Sequence, residues 1–467
     1  MDINLSTLVT GREVSLKDML DAREHRQEVQ RMLLSEHHLP VISFTLNIVG
    51  PVKVFPLALR TFHEGIRLIE TQCHAWKIPI IATYSTTSHA GHEYFWAVDG
   101  DVRFIKENLC LLEDSVALGR LFDIDVIQTD GMKISRTDLG FSTRKCLICN
   151  QEAFVCSRAR THSVKELLEQ ECQIMTNYFA KQHARKLSSL SMQALLYEVS
   201  VTPKPGLVDR NNTGAHQDMD IFTFEASAVS LNHYFEQFAL CGIENGHEPF
   251  SRIFSRLRSL GIQAEETMFR ATNQVNTHKG LISLAIMNGS LGYMYANHIP
   301  YSPDTLLKIN RKLVADVLED FNDVTVENAR TNGERLYALY GMKGARGEAL
   351  SGYHTVLKKA LPVLKHQLDR GLSLNDAGAV TLLYIMAHSE DTNIVNRSSY
   401  HSMKKIQSIL RETLNDPEFI NKDPIPYIES LDREFIKNNI SPGGSADLLA
   451  LTFFLYLFEN SGLSSIL

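Results

Sequence analysis

Apolar residues in the first third of the chain fall into short β-rich runs at residues 41–54, 78–83 and 121–127. Between them, residues 16–36 and 62–76 repeat apolar positions at helical spacing. Strands alternating with helices predict an α+β N-terminal domain. From about residue 163 the period becomes helical and few β-rich runs follow, which predicts an all-α C-terminal domain. The change of texture places the boundary within 172–182. Residues 181–186 carry basic side chains and neither Pro nor Gly, so the junction reads as helix and not as loose linker. The expected domains are therefore 1–178 and 179–467.

Length and charge narrow the picture. With 467 residues, 44% of them hydrophobic, each domain can bury its own core. A net charge of −7 leaves no global basic field for nucleic acid, so a phosphate-bearing ligand must be held by local cations. The first residues lack the basic and apolar regions of a secretory leader, and the longest apolar run, 448–458, is too short for a membrane span. Seven cysteines, an odd number without a leader, predict reduced thiols and a cytoplasmic location.

Five polar, small-residue junctions punctuate the helical part, each at the end of a strongly apolar segment. The first, 202–220, presents Lys204, Asp209, His216, Asp218 and Asp220 on a Pro- and Gly-rich loop before a new helix. The others offer Asn273, His278 and Lys279; Arg346 and Glu348; Asp391 and Arg397; and Gly443, Gly444 and Asp447. One Asp at a helix start is ordinary capping. The recurrence predicts converging helix termini, where free N–H groups, close-approach glycines and carboxylate-held Mg²⁺ suit a polyphosphate.

The motifs TPKPGLVDRNNTGAHQDMD, TNQVNTHKG, GARGEA, EDTNIVNR and SPGGSADLLA, in that order, resemble triphosphoribosyl-dephospho-coenzyme A synthases of the CitG type over about residues 175–467. The resemblance implies a helical enzyme in which ATP loses adenine as its ribose C1′ joins the 2′-hydroxyl of 3′-dephospho-coenzyme A. In that reading His216 is the acid that protonates adenine. Asp218 or Asp220 stabilises the oxocarbenium-like centre or takes the hydroxyl proton. Glu348, Asp391 and Asp447 are candidate Mg²⁺ ligands. Lys204, Asp209, Asn273, His278, Lys279, Arg346, Arg397, Gly443 and Gly444 are candidate substrate or phosphate contacts.

In the N-terminal part, Gly119 to Ile127 places Asp123 and Asp125 two apart on an expected strand, with Phe122, Ile124 and Val126 on the opposite face. Like charges side by side on a strand repel, so the pair reads as a Mg²⁺ site for phosphoryl chemistry. Cys146, Cys149 and Cys156, completed by His162 or Cys172, have zinc-ligand spacing. The alternation around Cys146–Cys149 also fits a buried strand, and core packing is the default for such cysteines. Arg144, Lys145, Arg158 and Arg160 form a local basic patch whose default reading is a solvated face.

GRLFDIDV and RKCLIC…CSRARTHS, placed before a synthase-like part, resemble the CitX type of apo-citrate lyase phosphoribosyl-dephospho-coenzyme A transferase over about residues 8–172. The whole then resembles a CitXG-type fusion. The resemblance implies that a serine of the citrate lyase acyl carrier protein attacks the triphosphoribosyl chain and releases pyrophosphate, with Asp123 and Asp125 on the metal and Arg120 on phosphate. The h-D-h-D-h pattern suggests a nucleotidyltransferase-like fold, although the usual Gly-Ser helix start is not found before it. A different class, a metal-dependent N-glycosidic hydrolase fused to a zinc or carrier-docking module, would use the same carboxylates. Requirement for dephospho-coenzyme A separates the two.

Overall fold

The computed structural model of the protein describes residues 4–278, 280–318 and 323–465. The chain divides into two compact units, 1–180 and 181–467, and the division falls inside the helix Val164–Ser200.

The first unit is built on four strands, β1 (Val41–Leu46), β2 (Ile80–Ser88), β3 (Gly91–Val98) and β4 (Phe122–Ile127). They lie in the order β2-β3-β1-β4, every pair antiparallel. Strand alternation sorts the side chains. Ile42, Phe44, Trp96, Val98, Phe122, Ile124 and Val126 turn into one core with residues of the helices Pro56–Ala75 and Val102–Ser115. Gly65 permits a close approach there, since a β-carbon on it would lie 2.3 Å from the Phe44 ring. The opposite face meets the helix Leu16–His37, whose start is closed by a Ser15–Asp18 capping box. From that helix Arg26 pairs with Glu93 at 2.6 Å and Gln30 donates to Ser43 at 3.1 Å.

Two expectations change here. The run 41–54 is strand only to Leu46, because Gly50, at φ 83°, and Pro51 turn the chain away. Strand β3 was not expected, and neither was the helix Val102–Ser115. The hairpin turn at His89–Ala90 precedes an aromatic run whose buried Glu93 interrupts the apolar pattern.

Among the described residues of 181–467 the regular structure is helical. The helix Ile221–Glu244 packs on Phe250–Ala271 and on Leu281–Ala296, and Leu374–His388 packs on Leu361–Asp369, Tyr400–Leu414 and Gly443–Asn460. Phe235, Phe238, Phe453 and Phe454 are fully buried, each stabilising by roughly 1.5–3 kcal/mol. No described helix is long and apolar enough to cross a membrane.

Because each unit encloses its own core, fragments 1–180 and 181–467 are each expected to unfold in a single cooperative transition when produced separately. Circular dichroism melts check this. A fragment that shows no transition alone, and gains one only when mixed with the other, would contradict independent folding.

Candidate active sites

The loop after Ser200 is organised by buried charge. Lys204 is 1% exposed, and its ammonium donates to Glu198, itself buried, at 2.5 Å. Burial pushes the Glu198 carboxyl up, and the Lys204 charge opposes that. Asp209 folds the loop on itself: Oδ1 accepts from the backbones of Asn211 (2.7 Å) and Asn212 (3.0 Å), and Oδ2 from that of Lys204 (3.1 Å). Asp432, from the helix Ile425–Lys437, accepts from Gly206 N at 2.8 Å and Asn212 Nδ2 at 3.0 Å. Gly206 has φ 68°, and a β-carbon there would strike the Ile440 carbonyl at 2.1 Å. Asp209 was expected to contact substrate; its hydrogen bonds make it a brace of the loop.

The junctions come together in space. A β-carbon on Gly280 would lie 2.2 Å from the Asp447 carboxylate carbon, one on Gly344 2.8 Å from Thr392, one on Gly443 2.8 Å from Asn393 and one on Gly444 3.2 Å from Asp391. The starts of the helices Leu281–Ala296, Gly344–Leu350, Thr392–Arg397 and Gly443–Asn460 are thus neighbours. His216 joins the 202–220 loop to them through Ser441 Oγ, 2.9 Å from its Nε2. Arg397 donates to His216 Nδ1 at 3.1 Å and to the Ala215 carbonyl at 2.8 Å.

Individual roles shift from the expected ones. Asp391 is buried and saturated: Oδ1 accepts from Asn393 N (2.9 Å) and Ile394 N (3.3 Å), Oδ2 from Ser445 N (2.8 Å) and Oγ (2.9 Å). It caps one helix while tying the start of another, so the expected Mg²⁺ role gives way to a structural one. Asp220 is exposed and forms a capping box with Thr223, the ordinary capping role. Asp218 is 65% exposed, 3.9 Å from His216 Nδ1. Burial, then Arg397, lowers the His216 pKa, with Asp218 opposing. Since Arg397 donates to Nδ1, the neutral ring carries its proton on Nε2 toward Ser441, which is not the protonated acid expected.

Glu348 accepts from Thr355 Oγ1 at 2.5 Å on one oxygen, while its other oxygen is buried without a hydrogen bond. Burial raises its pKa. His278 is buried: Nδ1 lies 2.7 Å from Ser227 Oγ, and Nε2 has no hydrogen-bond partner. Thr277 donates to Ser227 at 2.8 Å, so the Ser227 hydroxyl donates its hydrogen bond to Nδ1, and Nε2–H is a buried donor without a partner among the described residues. Burial, then the Lys204 charge, lowers the His278 pKa to about 3. Arg346 is half-buried on the Gly344–Leu350 helix, and Asn273 is exposed at φ 52°. Lys279 lies outside the described residues. A cavity of about 120 Å³ lined by His366, Gln367, Arg370, Tyr384 and Lys422 includes none of these residues.

In the first unit, β4 alternates as expected, with Asp123 exposed, Asp125 half-buried and Phe122, Ile124 and Val126 buried. Asp123 pairs across the ladder with Thr45, and Asp125 with Ser43. Asp125 is in an ion pair with Lys133. Arg120 donates to the Lys145 carbonyl and Arg144 to the Phe122 carbonyl at 2.7 Å. Behind the strand, buried Glu113 pairs with Arg136 (3.0 Å) and Arg144 (2.6 Å), while Lys106 donates to the Ile124 carbonyl at 2.5 Å. Sequence reasoning missed this network, although Lys106 and Glu113 sit on the apolar face of their helix. A cavity of about 20 Å³ beside Thr45 is lined by Lys53, Gly91 and His92, and both His92 nitrogens are buried without hydrogen bonds. Cys146, Cys149, Cys156 and His162 have ligand atoms within 4.8 Å of one another, a grouping able to hold a metal ion. The buried strand that the alternation also fitted is not formed, since residues 146–149 hold none, and of the three cysteines Cys156 is the buried one.

Clustered helix starts beside the buried Lys204 in one unit and an aspartate-bearing strand in the other suit a two-part transferase for phosphorylated substrates. Residues 184–465 match the family described as CitG, ATP:dephospho-CoA triphosphoribosyl transferase, and residues 14–178 that described as CitX, apo-citrate lyase phosphoribosyl-dephospho-CoA transferase. The chain is 33% identical over 463 residues to "Protein CitXG" of Haemophilus influenzae, across 97% of this chain and 98% of that protein. It is 34% identical to "Protein CitXG" of Leuconostoc mesenteroides, across 95% and 97%. A "Probable 2-(5''-triphosphoribosyl)-3'-dephosphocoenzyme-A synthase" of Vibrio cholerae is 40% identical across 58% of this chain and 88% of that protein. The chain belongs to the CitXG family of bifunctional transferases. Its two activities serve the citrate lyase prosthetic group, with ATP, dephospho-CoA and the apo-acyl carrier protein as partners.

The buried His278 sets a pH dependence. Its folded pKa, about 3, lies below the ordinary 6.5, so unfolding takes up a proton between these values. The stability from its neutral burial is complete above about pH 6.5 and declines as pH falls toward the folded value. His278→Gln is expected to flatten the loss of unfolding free energy below pH 6.5 by up to about 1.4 kcal/mol per pH unit. Urea unfolding at stepped pH reads this directly, and parallel curves for the two proteins would show that His278 is not buried as the neutral form.

Proposed function

We propose that residues 181–467 join ribose C1′ of ATP to the 2′-hydroxyl of 3′-dephospho-CoA with release of adenine, at the gathered helix starts. The observation that carries this reading is the free buried donor His278 Nε2–H beside the Lys204 charge, a combination that suits a phosphate oxygen. Helix-start N–H groups at Gly280, Gly443 and Gly444 add to that cradle, and Arg346 supplies further positive charge.

Asp218, the exposed carboxylate of the loop, takes the proton of the attacking 2′-hydroxyl as the new C1′–O bond replaces the bond from C1′ to adenine N9, and the departing adenine takes up a proton from water. His216 acts as a positioning residue that holds Arg397 and Ser441, because both its nitrogens are committed. Mg²⁺ would suit Glu348, whose buried oxygen lacks a partner among the described residues, and Asp447 remains the other candidate ligand; when bound it would neutralise phosphate charge.

In residues 1–180, a serine hydroxyl of the acyl carrier protein attacks the α-phosphorus of the triphosphoribosyl chain. The new P–O bond replaces the bond to pyrophosphate, and the hydroxyl proton passes to a carboxylate of the Asp123/Asp125 pair. These carboxylates also suit Mg²⁺. Lys53 beside the β1 cavity is a phosphate contact that the sequence did not suggest. We place the enzyme in the cytoplasm, a reading supported by seven unbridged cysteines and by its nucleotide substrates.

Adenine release from ATP, measured by liquid chromatography, is expected to require dephospho-CoA. Release at the same rate without it would favour the N-glycosidic hydrolase. Asp218→Asn should lower the rate by at least about 100-fold, whereas Asp220→Asn should change it little because Asn also caps. Near-normal turnover in Asp218→Asn would remove that carboxylate from the mechanism.

Asp123→Ala should stop carrier-protein modification while adenine release continues, so the triphosphoribosyl intermediate accumulates. Mass spectrometry of the carrier protein and of the small molecules distinguishes this from a merely structural strand face, for which modification would persist.

A further inference from the structure

The segment 144–162 has little apolar packing of its own. Leu147 packs against the core, but Ile148, Phe154 and Val155 are 43%, 61% and 51% exposed, while Cys156 is buried and Cys146 and Cys149 are half-buried. Its regular structure is one isolated bridge, Lys145 with Glu152, and the short helix Ala153–Ala159. The exposed apolar side chains contribute little burial to hold it. Short segments without a core ordinarily depend on a covalent or metal clasp.

The clasp is in place. We propose that Cys146, Cys149, Cys156 and His162 bind one structural zinc ion that closes residues 144–162 on themselves, a segment that Arg144 ties to the strand carrying Asp123. Their ligand atoms lie within 4.8 Å of one another. Zinc bond lengths of about 2.0–2.3 Å in a tetrahedron put ligands roughly 3.3–3.8 Å apart, so closure needs only small side-chain movement. The Cys146–Cys149 turn folds around the first sulfur, with Ile148 N donating to Cys146 Sγ at 3.5 Å; such N–H donors stabilise a metal-bound thiolate. His162 Nε2 is buried and has no hydrogen-bond partner, the state of an imidazole nitrogen waiting for a ligand. Cys172, the alternative fourth ligand, is instead packed in the apolar core. Three thiolates and one imidazole favour zinc over the oxygen-seeking Mg²⁺.

The clasp has a consequence for chemistry. Arg144 Nη1 donates to the Phe122 carbonyl and its Nη2 pairs with Glu113. Arg120 donates to the Lys145 carbonyl, and Ala153 N to that of Arg144 at 2.8 Å. Zinc therefore fixes the two arginines that flank Asp123 from the N-terminal side of β4. Its loss should impair carrier-protein modification and leave the synthase reaction intact.

The full-length chain, purified with reductant and without added chelator, is expected to contain one zinc per molecule by plasma mass spectrometry. Zinc should survive desalting and be released when the thiols are blocked with a mercurial. Replacement by cobalt should give the visible absorption of a tetrahedral thiolate site. Cys149→Ser and His162→Gln should each lose the metal and most carrier modification, while adenine release with dephospho-CoA stays at the wild-type rate. A wild-type chain without stoichiometric zinc overturns the proposal. So does a cobalt spectrum lacking thiolate charge transfer, a Cys149→Ser chain that keeps its zinc, or a disulfide among these cysteines in freshly purified protein.

Discussion

A lysine and a glutamate sealed from water at 2.5 Å set the course of the loop on which the synthase unit's candidate site depends. Removing one partner of such a pair leaves an uncompensated buried charge, at a cost of about 3–5 kcal/mol. The chain between Glu198 and Lys204 must therefore turn sharply, and the loop that follows can lie in only one place. Asp209 and Asp432 then hold its backbone N–H groups, and Gly206 lets it touch the 440–441 segment. Burial keeps His278 neutral, and the same positive charge adds to the effect. One buried pair thus fixes a loop, presents a cation and supports the neutral state of an imidazole from another junction.

Packing brings the remaining pieces to that loop. Each glycine at a helix start faces a polar side chain of another start, as Gly280 faces Asp447 and Gly444 faces Asp391. Any larger residue would push these starts apart. Close approach gathers the positive ends of several helices in a small volume, and polyphosphate is the ligand class that gains from this. The first unit solves a related problem differently. A single strand exposes Asp123 and Asp125 while Glu113, Arg136, Arg144 and Lys106 form a charged layer behind it. That layer carries more positive than negative charge, with Glu113 between Arg136 and Arg144 and Lys106 on the Ile124 carbonyl, which favours acidic groups on the strand in front of it.

Helical period and motif order made the all-α unit, the texture change and the clustering of junctions legible in the sequence. The exact work of each acidic residue was not. Asp209, Asp220 and Asp391 look alike in sequence to Asp218, but what separates them is whether backbone N–H groups lie within reach, which only the folded loop decides. His216 read as an acid because its neighbours in sequence are aspartates; its neighbour in space is Arg397, 181 residues away. Asp432 and Glu198, which carry no motif signal, proved to brace the site. The cysteine cluster shows the reverse: the spacing was visible, but the period-two alternation of Cys146 to Cys149 imitates a strand, and burial alone could not distinguish the two. Strand β3 escaped because a buried Glu93 breaks its apolar run, and that glutamate is tolerated through Arg26.

Hydrogen–deuterium exchange on the full-length chain, with ATP and dephospho-CoA present together, tests most directly whether the helix starts form a single site. The account predicts simultaneous protection of residues 204–216, 277–283, 391–397 and 441–447 when both substrates are added. Protection of only one of these segments, with the others exchanging as in the free protein, would contradict it.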